Sequence, residues 1–135
     1  MTACTGGSCL QEWHERLQEF GIVDYANSMM ILAIVEGDSK ETIAAIGQYE
    51  IDKKMHTAEV ALVVKDEYQN KGVGHDLLTY LTRLARRRGL LGFTADVLVE
   101  NKQMLDLFKD MGFDTEKRSD EGVYEMRMMF RDIEN

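Results

Sequence analysis

The stretch Gln69-Asn70-Lys71-Gly72-Val73-Gly74 carries the residue types best suited to hold a charged ligand. Two glycines two apart let backbone come close to a bound group where a Cβ would clash. The stretch follows an apolar β-like run, Ala58 to Val64, and precedes a helix-patterned run starting near His75. A helix begins with unpaired N–H groups and the positive end of its dipole. Strand, glycine turn and helix N-terminus together therefore make a phosphate cradle. The stretch is not a Walker A motif, which ends in Gly-Lys-Ser/Thr, and it lacks the third glycine of the dinucleotide fingerprint. A glycine turn leading into a helix is the plainer account of the same residues, so the surrounding elements must decide.

The 135 residues fit one domain with a real core, with residues 1–9 as a flexible tail. No apolar run approaches a bilayer span, and Met1–Leu10 has no basic and apolar leader pattern, so a soluble cytoplasmic protein is expected. Cys4 and Cys9 lie in the Gly/Ser/Thr-rich start with no nearby histidine or second cysteine pair, so no metal site is expected. The net charge of −8 argues against a nucleic-acid partner and suits a cationic one, such as a lysine side chain or a polyamine.

Leu10, Trp13, Leu17 and Phe20 recur at helical spacing, which predicts an amphipathic helix over Leu10–Phe20, stopped at Gly21. Ser28–Val35 is a nearly continuous apolar run, as in a strand covered on both faces. Thr42–Ile51 and His56–Val64 read as the next strands, joined by the polar turns Glu36–Lys40 and Asp52–Lys54. Three consecutive strands with short connections imply an antiparallel meander. Leu77, Leu78, Leu81, Leu84 and Ala85 mark a helix after the glycine stretch. Arg83, Arg86, Arg87 and Arg88 crowd its end before Gly89, either to complement the helix dipole or to meet an anionic ligand tail. Leu90–Val99 is a strand, and Asn101 starts a second helix bearing Met104, Leu105, Phe108 and Met111, closed by Gly112. Phe113–Arg118 and Val123–Phe130 form a last hairpin, with methionines as filling. The result is an α+β domain with a mixed, mostly antiparallel sheet flanked by helices.

Three separated signals now agree: Ala58-Glu59-Val60-Ala61-Leu62-Val63-Val64, then Gln69–Gly74, then Asn101 through Gly112-Phe113. In this order they resemble the GCN5-related N-acetyltransferases, over about Ser28–Phe130. The wording looks closest to the acetyltransferase domain of bacterial protein lysine acetyltransferases. The resemblance implies that acetyl-CoA is the cosubstrate and that a primary amine, a protein lysine first and a small polyamine second, is the acceptor. It implies that the strand ending at Val64 parts from the strand Leu90–Val99. Backbone groups of Leu62, Val63 and Val64 would then meet the pantetheine arm. The N–H groups of Gln69, Asn70, Lys71, Gly72, Val73 and Gly74 would take the pyrophosphate. Asn101 would sit beside the pantetheine or cap its helix, roles that are compatible.

A carboxylate near the amine can remove its proton, and Glu59, a lone acid among Ala58, Val60, Ala61 and Leu62, matches the family's base. Burial there would raise its pKa toward the working range; the plainer account is an outward-facing residue of an alternating strand. A strand N–H near Val63 is expected to face the thioester oxygen. Where relatives carry a tyrosine acid this chain has Phe108, which leaves Tyr124 as a substitute or no acid at all. His75 is expected in the first helical turn and His56 at a strand start, each a lesser candidate. The family's first strand has no counterpart in this reading. The shortened N-terminus would leave a sheet edge exposed and favour a homodimer. A non-catalytic acetyl-CoA-binding module is the reading from another class.

Overall fold

The computed structural model describes residues 14–20, 27–36 and 40–131. The tail 1–9 with Cys4 and Cys9, and the middle of the Glu36–Lys40 turn, lie outside the described residues. Strands β1 (His14–Phe20), β2 (Ser28–Glu36), β3 (Glu41–Asp52) and β4 (Thr57–Val64) come first. A single 3₁₀ turn at Asp66–Tyr68 leads into helix α1 (Val73–Arg87). Then follow β5 (Gly92–Leu98), α2 (Lys102–Asp110), β6 (Asp114–Asp120) and β7 (Val123–Met129). One seven-stranded sheet holds them in the order β1-β2-β3-β4-β5-β7-β6, with only the β4–β5 pair parallel.

The helix expected over Leu10–Phe20 is corrected: His14–Phe20 is a strand, paired from His14 with Glu36 to Phe20 with Met30, and residues 10–13 lie outside the described residues. The apolar run of β2 needs neighbours on both sides to pair its backbone, and that long-range pairing outweighs the helical spacing of four side chains. A strand therefore does precede β2 and pair with it. The β2 edge is covered, and the ground for expecting a homodimer through that edge is gone. The sheet now ends at β6, whose residues are all exposed and mostly charged, a composition that discourages edge pairing.

Alternation sorts the sheet into two faces. Met29, Ile31, Gly47, Tyr49, Ala58, Val60, Phe93, Ala95, Met126 and Met128 are buried on one face. There they pack with Leu77, Leu78 and Leu81 of α1 and with Phe108 of α2. Gly47 has no Cβ because α1 passes over it: a Cβ there would stand 2.8 Å from Leu81 Cδ1. Gly92 is as tightly placed, 2.5 Å from the Met128 carbonyl oxygen if it carried a Cβ. The opposite, open face carries Gln48, Glu50, Glu59, Asp96 and Arg127. In the core, the hydroxyl of Tyr49 is buried with no hydrogen-bond partner among the described residues. No helix among those residues is long and apolar enough to cross a membrane.

Two stability outcomes follow from this packing. Tyr49→Phe removes an unsatisfied buried hydroxyl, which costs about 1–3 kcal/mol when orphaned. The urea midpoint should rise, and a fall would show that the hydroxyl has a partner. Gly92→Ala meets a strand carbonyl that cannot rotate away, and should lower stability by about 1–3 kcal/mol in the same titration.

Candidate functional site

Strand β4 runs beside β5 for three residue pairs only, Thr57 with Gly92, Ala58 with Phe93 and Glu59 with Thr94. Beyond Glu59 the two strands part, while β4 stays paired with β3 to Val64 and β5 stays paired with β7 to Leu98. The opening is a cavity of about 490 Å³. Its strand wall is Leu62, Val63 and Val64, and its floor is Gln69, Asn70, Gly72, Gly74 and His75. Its far wall is Asn101 with Gln103, Met104, Asp106, Leu107 and Asp110 of α2.

The backbone around the opening alternates. Lys65 N–H donates to the Ala44 carbonyl, so the odd-numbered residues of β4 direct their backbone groups at β3. Those of Leu62 and Val64 point into the gap instead. The expectation for Val63 is corrected: its N–H belongs to the β3 ladder, although its side chain is 67% exposed at the cavity rim. The Val64 carbonyl accepts from Gln69 Nε2 at 3.0 Å, and the same amide donates to Asp66 Oδ1 at 3.3 Å. Gln69 thus pins the end of β4 to the start of the loop.

Two residues of the loop hold left-handed backbone, Asn70 at φ 64° and Gly72 at φ 90°. Both types accept that region at low cost. A Cβ on Gly72 would have nothing within 4 Å, so the residue is needed for its backbone and leaves open space above the helix start. Gly74 is different. A Cβ there would lie 3.2 Å from Leu107 Cδ2 and 3.4 Å from Val64 Cγ2, so this glycine lets α1 start tight against α2 and β4. Asp76 N–H donates to the Gly72 carbonyl, closing the first helical bond. The N–H groups of Val73, Gly74 and His75 are left without helical acceptors. Lys71 and Val73 do not line the cavity: Lys71 is exposed beside it, and Val73 is fully buried in the core. Asn101 caps α2, its Oδ1 accepting from Met104 N–H at 3.2 Å, and its side of the cap faces the cavity.

Glu59 stands at the apex where the strands part, and it is exposed. Its expected burial among alanine and valine is corrected: Ala58 and Val60 point into the core, and Glu59 points to the open face, as alternation requires. It lies across from Glu50 of β3 and, on the other side, beside Thr94, which pairs with Arg127 of β7. Two shallow clefts meet at its carboxylate, one toward Glu50, Asp52 and Lys53, the other toward Asp96, Arg118 and Arg127. Phe108 is 2% exposed in the core, and Tyr124 is half-buried on β7 with Lys117 Nζ 4.7 Å from its ring centroid; neither lines the cavity. His56 sits in the β3–β4 turn at φ 59° and holds Leu91 N–H with its carbonyl, away from the loop.

Sequence reading missed the α2 wall. Gln103, Leu107 and Asp110 share one helical face by their spacing, but nothing in the sequence says that this face looks at the loop rather than at solvent. Among the described residues no group of three or more His, Cys, Asp or Glu side chains is placed to hold a metal.

Residues 2–113 match the profile of the Acetyltransferase (GNAT) family. A curated Pseudomonas aeruginosa acetyltransferase is 28% identical over 101 residues, which cover 75% of this chain and 54% of that protein. The chain thus spans about half the length of that relative. The solved structure of the GNAT domain of S. lividans PAT superposes with a TM-score of 0.69 at 28% identity, covering 82% of this chain and 65% of that one. A spermidine N-acetyltransferase from Vibrio cholerae, solved in complex with CoA and spermine, shares the fold with a TM-score of 0.62 at 21% identity, over 77% of this chain and 66% of that one. With its forked sheet, its glycine loop at a helix start and a profile match over most of its length, the chain belongs to the GNAT acetyltransferase family.

Proposed function

We propose that this chain is an acetyl-CoA-dependent N-acetyltransferase whose acceptor is a protein lysine. The observation that carries the reading is the fork after Glu59 and Thr94, which opens the cavity beside the glycine loop. The backbone groups of Leu62 and Val64 that face the gap suit the amides of a pantetheine arm. The unpaired N–H groups of Val73, Gly74 and His75, with Asn70, Gly72 and the Lys71 charge nearby, suit a pyrophosphate. Gln69 shapes the loop rather than binding through its amide, which Val64 and Asp66 already hold. The α2 wall with Asn101 closes the arm's other side.

The chemistry sets which proton matters most. A lysine amine with pKa about 10.4 costs roughly 4.6 kcal/mol to neutralise at pH 7, whereas a thiolate of pKa about 8.5 leaves unprotonated at a cost of roughly 2 kcal/mol. A base is therefore worth more than an acid, which agrees with the position the family resemblance gives to a tyrosine acid being held by Phe108, buried in the core. Glu59 takes the ammonium proton through water at the apex of the fork. The amine nitrogen attacks the thioester carbonyl, the oxygen draws on an N–H of Leu62 or Val64, the nitrogen releases its second proton to water as the C–S bond breaks, and the CoA thiolate takes a proton from solvent.

The lysine reading draws on the likeness to the S. lividans PAT domain. A polyamine is the second acceptor, favoured by Glu50 standing directly across from Glu59, a pair that a dication would bridge.

Purified protein should release thiol from acetyl-CoA with a lysine substrate, and Glu59→Gln should lower kcat about 10²–10⁴-fold at neutral pH. An unchanged rate removes Glu59 as base, and turnover with spermidine but no lysine substrate moves the acceptor to the second reading. CoA at a hundredfold excess over its Kd should stabilise the chain by about 2.7 kcal/mol in thermal unfolding. Gly72→Val, which places a branched side chain in the open space at φ 90°, should remove that shift. CoA binding retained with no turnover on any amine would leave a binding module.

A further inference from the structure

The charge of the chain is unevenly placed. Of its 16 Lys and Arg residues, Lys53, Lys54, Arg83, Arg86, Arg87 and Arg88 gather at one end, in a chain of net charge −8. Hydrogen bonds tie that end together. Leu91 N–H donates to the His56 carbonyl at 2.7 Å, which sets the β3–β4 turn against the α1–β5 connection. Arg86 Nη1 donates to the Arg131 carbonyl at 3.0 Å, which brings the end of β7 to the same place. The 15 residues of α1 separate this end from the glycine loop by about 22 Å. Arg86, Arg87 and Arg88 thus have no reach to an anion at the loop.

The helix dipole accounts for cations in the last turn only, Arg86 and Arg87. Lys53, Lys54 and Arg83 lie outside it. All six cations are exposed. Among the described residues Lys53, Lys54, Arg83 and Arg87 have no carboxylate partner. Asp52, the acid closest in sequence to the two lysines, is engaged with the N–H groups of Lys54 and Met55. Asp132 and Glu134 follow Arg131 in sequence. Arg86 is held in place, its guanidinium 5.6 Å from the centroid of the Phe130 ring. Two apolar side chains stand exposed among these charges, Met55 at 49% and Leu91 at 54%. Mutual repulsion and exposed apolar area both disfavour the free state, and both are relieved by one kind of contact.

We propose that this end of the molecule docks an acidic peptide segment of a partner protein, its carboxylates on the arginines and lysines and an apolar side chain on Met55 and Leu91. Guanidinium forks match carboxylates bidentately. The charge pattern favours a peptide over nucleic acid or an anionic membrane. Those present charge across a whole face and would meet the acidic remainder of the protein, and a phosphate backbone has no use for the two apolar side chains. These arginines, Met55 and Leu91 line neither the cavity nor the clefts at Glu59, so that part of the surface stands apart from the acetyl-transfer reading, whereas Lys53 and Lys54 border one of those clefts.

The test uses fluorescence anisotropy with the whole chain and a labelled Glu-rich peptide carrying leucines four apart. Parallel arms replace its leucines with serine, or use an oligothymidylate or phosphatidylserine vesicles. The peptide should bind, weaken with salt, and lose at least about tenfold in affinity on Arg83→Glu with Arg87→Glu, and again on Lys53→Glu with Lys54→Glu. Serine for leucine in the peptide should weaken it severalfold. Unchanged thermal unfolding in both variants, with unchanged acetyl-CoA turnover in the arginine variant, separates lost docking from lost folding. No peptide binding, equal binding by the reversed-charge variants, or binding of the oligonucleotide or vesicles as tight as that of the peptide, each overturns the proposal.

Discussion

The fold depends on a pairing that stops. Parallel strands normally continue their ladder, and unpaired backbone in an interior costs about as much as a lost hydrogen bond. Here β4 and β5 share three residue pairs and then diverge, each still paired on its outer side. Gly92 anchors the closed end by letting β7 come within van der Waals distance of β5. Gln69 anchors the open end by taking the Val64 carbonyl, which would otherwise face the gap unmet. The backbone groups left over in the gap are those of Leu62 and the N–H of Val64.

The two glycines of the loop, alike in sequence, do different work. Gly72 supplies a left-handed turn and open space, whereas Gly74 supplies close contact among α1, α2 and β4. The mouth of the fork is thus made by a turn and by the packing that holds the turn in place. The cations follow a related division. Lys71 is beside the loop, while the arginine cluster is a helix length away at the end that carries Met55 and Leu91. Glu50 and Glu59 face each other on the open face, with Lys53 and Lys54 at the margin of the same cleft, while the arginines lie at the far end of α1.

Much of this was legible in the sequence because the signals are local. The strands after residue 27, both helices, the Asn101 cap and the glycine ends at Gly89 and Gly112 each depend on a few neighbouring residues, and each stands within a few positions of where periodicity and capping place it. The first strand was not legible. Leu17 and Phe20 carry a helical spacing, and only the unpaired edge of β2, seen in three dimensions, makes His14–Phe20 extended.

The sequence by itself determined the family, the order of elements from Ser28 onward and the place of the glycine turn, since backbone freedom at glycine and hydrophobic period are properties of short segments. Tertiary structure alone decided that Glu59 faces solvent at the apex of the fork, that Val63 gives its N–H to β3, and that α2 supplies the far wall of the cavity. The reason is physical: which way a strand residue points depends on the register of its neighbours, and which face of a helix meets a loop depends on the packing of both against the sheet.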